Sequence, residues 1–151
     1  MNVRHINPFI KASRTVIGAT LGEQADIGRP SIAPIEFEQD SEVILIGITG
    51  EVSGLIFLGF SKEVACKVAG RMIQFEINEI DDLARSALAE LGNMIMGNTA
   101  TIFSQEKIMV DITPPTVATG NMKFDTKEVE HILVPIMLGD STIEMHIAIR
   151  K

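Results

Sequence analysis

A chain of 151 residues has the length of one domain, expected here over 1–151, and can bury a core without disulfide or metal staples. Its 46% hydrophobic content, with no Trp or Tyr, excludes a disordered chain and predicts an aliphatic core filled out by Met and Phe. A formal net charge of −7 without a basic cluster argues against nucleic-acid and anionic-membrane partners; with no bilayer-length apolar run and no secretory pattern, the cytoplasm is the expected compartment.

In chain order, Asn7 followed by Pro8 reads as an N-cap and a first helical proline, and Phe9, Ile10, Ile17 and Leu21 recur at helical spacing before Gly22. A helix over 8–21 is predicted. Two prolines make 28–34 extended or turn structure, and a strand is expected to begin over 35–38. The β-branched run 43–49, a turn at Gly50-Glu51 and a second run over 52–60 predict a hairpin. Ser61 then caps a short helix to about Gln74.

The stretch 78–106 is the longest uninterrupted helical pattern. Asn78 followed by Asp81 resembles a capping box, and acidic side chains crowd the first turn, where the helix dipole favours them. Ala84, Ala87, Leu88, Leu91, Ile95 and Ile102 fall on one side, expected to be core. Ser86, Glu90, Asn93 and Gly97 line the opposite ridge at steps of four, three and four, flanked by Ala89 and Ala100. An ordinary solvated face carries long charged side chains. This one carries small residues around one carboxylate and one amide, so another molecule can approach the helix and meet Glu90 and Asn93 together.

Strands follow over 108–113, ended by Pro114-Pro115, then over 116–120, 130–138 and 142–149, with Gly139-Asp140 turning the last hairpin. The order of elements predicts an α+β fold: an antiparallel sheet with long helices packed on one face. Asp26-Ile27-Gly28-Arg29-Pro30-Ser31-Ile32-Ala33 matches Asp111-Ile112-Thr113-Pro114-Pro115-Thr116-Val117-Ala118 in one register. Each copy follows a helix and precedes a hairpin, which points to a duplicated helix–strand unit with pseudo-twofold symmetry. In that register His5 stands opposite Glu90 and Pro8 opposite Asn93, so one site per chain is expected, on the second unit.

Ser86-x3-Glu90-x2-Asn93 with the distant Pro115 resembles the signature of the CheC/CheX/FliY phosphatase family of bacterial chemotaxis. The chain looks like a member with one signature and no flagellar-switch extension. The resemblance implies hydrolysis of the phospho-aspartate of the response regulator CheY or a similar receiver domain. It implies that Glu90 pairs with the receiver's active-site lysine and that the Asn93 amide holds a water in line with the acyl phosphate. Ser86, Ala89, Met94 and Gly97 would then border the docked receiver. No cofactor is expected in this chain, and Mg²⁺ would belong to the receiver. The resemblance also implies a homodimer with a continuous sheet, for which 43–49 and 142–149 are the candidate bare edges. The alternative reading is a non-catalytic adaptor that docks on a receiver or on the flagellar switch with the same face.

The remaining chemistry-bearing residues read as structural. Cys66 lies in an amphipathic pattern with no nearby His and is expected to be a small buried side chain. His5, His131 and His146 lack metal-ligand spacing. Met94, Met96, Met109, Met137 and Met145 sit at core-like spacings, and Asn98 is expected to be a buried amide with backbone partners.

Overall fold

A computed structural model describes all residues, 1–151. The elements in order are α1 (Val3–Leu21), β1 (Asp26–Ile27), β2 (Glu36–Phe37), β3 (Glu42–Gly50), β4 (Gly54–Phe60), α2 (Lys62–Ile73), α3 (Asp82–Gln105), β5 (Val110–Ile112), β6 (Thr116–Thr119), β7 (Met122–Lys123), β8 (Val129–Leu138) and β9 (Ser141–Arg150).

Alternating side chains make the sheet. Ile44, Ile46 and Ile48 on β3, Ile56, Leu58 and Phe60 on β4, Val134, Ile136 and Leu138 on β8, and Ile143, Met145 and Ile147 on β9 are all buried in one cluster. The same cluster holds the inner residues of all three helices, among them Phe9 and Ile17, Val68, and Leu88, Leu91 and Ile95. The helices therefore share one face of the sheet, as the fold class requires. Fully burying a Leu or Ile stabilises the fold by about 1.5–3 kcal/mol, before the entropy of ordering it is charged against the gain.

The sheet order is β1-β8-β9-β4-β3-β5, all antiparallel, with β6 also paired to β3. Each outer end is a short strand that directly follows a long helix, and the two hairpins meet at the central pair β4–β9. Asp26-Ile27 pairs with β8 at one edge and Asp111-Ile112 belongs to the strand that pairs with β3 at the other. No strand pattern suggested what covers the opposite sheet face. There the short ribbon β2–β7 lays Phe37 over Val43, Phe57 and Ala148 in a second cluster with Ile35.

Several local expectations shift. The first helix begins at Val3, capped by the Asn2 side chain, which accepts from the Arg4 N–H at 2.9 Å; Asn7 is no cap and Pro8 lies inside the helix. The longer helix buries Ile6 together with Pro8 and Phe9, and the partner that Pro8 denies its preceding turn falls near the solvated N-terminal end. The long helix is capped by Asp81, which accepts from the Ala84 N–H at 2.9 Å, and not by Asn78. Gly50-Glu51 is not a tight turn: Gly50 still pairs with Val110, and β3 joins β4 through residues 51–53. Gly139-Asp140 is a two-residue turn with φ +60° at Gly139, the left-handed backbone that type II′ hairpins need.

The candidate bare edges are not edges. β9 lies between β8 and β4, and β3 is covered by β4 on one side and β5 with β6 on the other. Met96 and Met145 fill the core as expected, whereas Met109 is exposed. No helix is long and apolar enough to cross a membrane.

Two glycines of α3 report its orientation. A Cβ on Gly92 would lie 2.9 Å from Ile44 Cγ2 and 3.3 Å from Ile46 Cδ1, whereas a Cβ on Gly97 would meet nothing within 4 Å. Gly92→Val is expected to lower stability by about 1–3 kcal/mol through overpacking. Gly97→Ala is expected to raise it by about 0.5–1 kcal/mol through helix propensity. Urea unfolding of both variants measures the contrast.

Candidate functional site

The inner face of α3 decides what the outer face presents. Its buried residues are Ala84, Leu88, Leu91, Gly92, Ile95, Met96, Thr99 and Phe103. Ala87 and Ile102, expected in the core, are only half-buried. Gly92 and Thr99 escaped the sequence pattern because neither reads as apolar. Asn98 is half-buried rather than buried; its neighbour Thr99 takes the inner position, its hydroxyl donating to the Ile95 carbonyl at 2.8 Å.

The outer ridge comes out as expected in direction. Ser86 and Glu90 are exposed, Asn93 and Gly97 half-buried. Neither Glu90 nor Asn93 takes part in any side-chain hydrogen bond or ion pair within the chain. One helical turn separates them, so their Cβ atoms stand about 5–6 Å apart on the same side. Ala89 and Met94 are half-buried and lean on the main core, so they form the shoulders of the ridge rather than its crest.

Leu83 is a residue that the periodicity argument missed. It is 61% exposed, seven residues before Glu90 and on the same line of the helix. The i, i+7 spacing could have found it. The neighbouring α1 adds exposed Arg4, Lys11 and Arg14, with no acidic residue in the helix and none of the three cations in an ion pair. These cations stand out in a chain of net charge −7.

Pro115 lies between β5 and β6, both paired to β3. Thr113 bridges the break: its N–H donates to the Gly47 carbonyl at 2.9 Å and its Oγ1 accepts from the Gly47 N–H at 2.8 Å. The two prolines that follow have no N–H to offer the ladder. Thr119 at the end of β6 and Arg85 in the first turn of α3 both meet Glu42. Pro115 stands immediately before β6, four residues back along the chain from Thr119.

The face is convex. The largest cavity described, about 770 Å³, lies on the other side of the sheet among Leu55, Phe57 and Phe124. Small molecules are usually held in concave, largely apolar sites; an exposed helix ridge suits a macromolecular partner. No group of three or more His, Cys, Asp or Glu side chains converges to hold a metal ion. His146 is buried against Phe37, with ring centroids 5.3 Å apart. Cys66 is half-buried, and burial pushes its thiol above the usual range, the opposite of an activated nucleophile.

The fold is shared with CheC-like proteins. A CheC-like superfamily protein from Shewanella sp. PV-4 superposes with a TM-score of 0.88 at 22% identity, covering all of both chains. Residues 43–137 match the family model of the chemotaxis phosphatase CheX. The CheY-P phosphatase CheX of Thermotoga maritima is 35% identical over 154 residues, covering 100% of this chain and 99% of that protein. A chain of the CheX–CheY–BeF3–Mg²⁺ complex from Borrelia burgdorferi is 31% identical with a TM-score of 0.85, covering 99% of this chain and 100% of that one. The chain belongs to the CheX family of chemotaxis phosphatases.

Because Glu90 and Asn93 hold nothing within the chain, Glu90→Ala and Asn93→Ala are expected to change stability by no more than about 0.5 kcal/mol. Thermal melts of the two variants check this, and they make any loss of activity attributable to the face itself.

Proposed function

We propose that this chain hydrolyses the phospho-aspartate of a CheY-like receiver domain, with Asn93 orienting the attacking water and Glu90 anchoring the receiver. One observation carries the reading: an exposed carboxylate and an amide, neither engaged within the chain, share one side of a stiff helix. The full-length similarity to a CheY-P phosphatase supports it.

The chemistry asks for little more. An acyl phosphate is already reactive, and phosphoryl transfer needs chiefly positioning and charge stabilisation. The water oxygen bonds to phosphorus as the bond to the aspartyl oxygen breaks. The carboxylate leaves with the electron pair, and the water's protons stay with inorganic phosphate and solvent. A carboxamide both accepts and donates, so the Asn93 side chain can orient that water without acting as a base. Glu90 is exposed and serves as an ion-pair partner for a receiver lysine. The Mg²⁺ belongs to the receiver in this scheme. Ser86 and Gly97 leave room for close approach, Ala89 and Met94 border the contact, and Leu83 supplies an apolar anchor at one end.

The test is the decay of a phosphorylated receiver with and without the protein. Asn93→Ala is expected to lower kcat by about 100-fold or more at little changed KM, the pattern of an interaction made mainly in the transition state. Glu90→Ala is expected to lower kcat/KM by about tenfold to a hundredfold, chiefly through KM. Leu83→Ala raises KM alone. Wild-type decay rates with Asn93→Ala would end the water-orienting role. Binding without acceleration would make the chain an adaptor.

We also propose that the chain forms a homodimer. The strands open to a second copy are β5 and β6 at one edge and β1 with the outer side of β8 at the other, since β3 and β9 lie inside the sheet. Sedimentation at micromolar concentration is expected to give a dimer; a monomer would overturn the proposal.

A further inference from the structure

Glu42 is out of place. It opens β3 on the helix-facing side, where Ile44, Ile46 and Ile48 follow it into the core. The residue is 2% exposed, yet it carries a carboxylate. Its Oε2 accepts from the Thr119 hydroxyl at 2.7 Å, and its Oε1 lies 3.4 Å from Arg85 Nε. That Nε is itself buried and makes no aligned hydrogen bond, so the contact with Arg85 is a Coulomb pair rather than a hydrogen bond. Arg85 in turn lies with its Nη1 3.5 Å from Asp82 Oδ1 on the exposed first turn of α3.

We infer that Glu42 is a positioning residue: its buried carboxylate pins the first turn of α3 and the end of β6 to β3, and so fixes against the sheet the helix that carries Glu90 and Asn93. The inference rests on reading α3 as the reacting face. Apolar packing chooses which side of α3 faces inward, but it is non-directional. Ala84 and Gly92 let the helix lie close to the sheet beside the larger buried Leu88, Leu91, Ile95, Met96 and Phe103, and a directional polar contact adds to that packing at the start of the helix. Only the carboxylate of this pair is buried, the Arg85 side chain being 34% exposed; a buried charge is a poor source of stability compared with a hydrophobic residue of similar volume, and its best-attested use is to specify register. Three elements converge on this one carboxylate: β3 carries it, β6 donates a hydroxyl to it, and α3 brings it a cation. Arrangements for catalysis tolerate little misplacement, and an error of about 1 Å can cost about 100-fold in rate.

The experiment compares wild type, Glu42→Gln, Thr119→Val and the double variant Glu42→Leu with Arg85→Met. Three readouts are taken: thermal stability and, on unlabelled protein without the added cysteines, kcat and KM on a phosphorylated receiver; and, on separate samples, the distance between spin labels at Ser86→Cys and Asn121→Cys in a Cys66→Ser background. The double variant is expected to melt at or above the wild-type temperature, to lose tenfold or more in kcat with a smaller change in KM, and to give a broadened label distance. Glu42→Gln keeps an acceptor for Thr119 and is expected to fall between the two. Thr119→Val is exposed and serves as the second test of the distance should the double variant fail to fold. An unchanged distance distribution overturns the pinning, whatever the activity. A broadened distribution with wild-type kcat overturns its role in the reaction. A wild-type protein with no effect on any phosphorylated receiver sinks the phosphatase reading, and the label distances still decide whether Glu42 holds the helix.

Discussion

The contact of α3 with the inner face of β3 and β4 is the constraint on which the rest depends. Gly92 lets the helix lie close over Ile44, Ile46 and Leu58. Leu88, Leu91, Ile95 and Phe103 then commit one side of the helix to the core. An α-helix is a rigid rod over this length, so burying one side determines what the other shows. The exposure of Glu90 is therefore a consequence of residues that never touch a partner. The small side chains of the crest matter in the same way, since Gly97 leaves open space where a longer residue would hold a docking surface away.

Two kinds of force divide the labour. Hydrophobic burial supplies the bulk of the free energy but discriminates weakly between nearby placements of the same greasy face. Hydrogen bonds and charges supply less energy and more geometry. Asp81 stops the helix at its N-terminus, the Thr113 side chain replaces a ladder bond where two prolines interrupt the edge, and Glu42 joins both regions to β3. All three polar devices lie along the line from the start of α3 to the loop of Pro115. The apolar core, by contrast, is spread evenly across four long strands and three helices.

What the sequence revealed follows from the range of each signal. Periodicity is local, so the two hairpins, the three helices and the outward ridge of α3 were legible. So was the Ser61 cap, whose side chain accepts from the Val64 N–H as its position suggests. Cap choice was less secure where several Asn and Asp residues compete, and Asn7 and Asn78 lost to Asn2 and Asp81 because burial of Ile6 and Ala84 extends or trims the helices. Gly92 and Thr99 escaped because the core stripe was counted in apolar residues alone. Sheet edges could not be read at all: a strand pattern states that a strand exists, not who lies beside it. The β2–β7 ribbon escaped for a related reason, as each of its strands is two residues long and makes sense only against Phe57 and Val43.

An exposed ridge, if it is the reacting face as proposed, has a consequence for specificity. An enzyme that encloses its substrate can select it by the walls of a pocket. A ridge with one carboxylate, one amide and a terminal leucine has no walls, so selection must come from how a second protein fits along it. In the proposed reaction the receiver brings the reactive phosphate, the metal and the lysine. This chain adds an oriented amide and the stiffness that keeps it oriented. On that proposal little catalytic machinery has to be encoded here, in keeping with a ridge that sets Ser86, Ala89 and Gly97 around Glu90 and Asn93. The same proposal puts the demanding part of the design beneath the surface, in the packing of Gly92 and the buried charge of Glu42, where a displacement of the helix would move every group on the ridge at once.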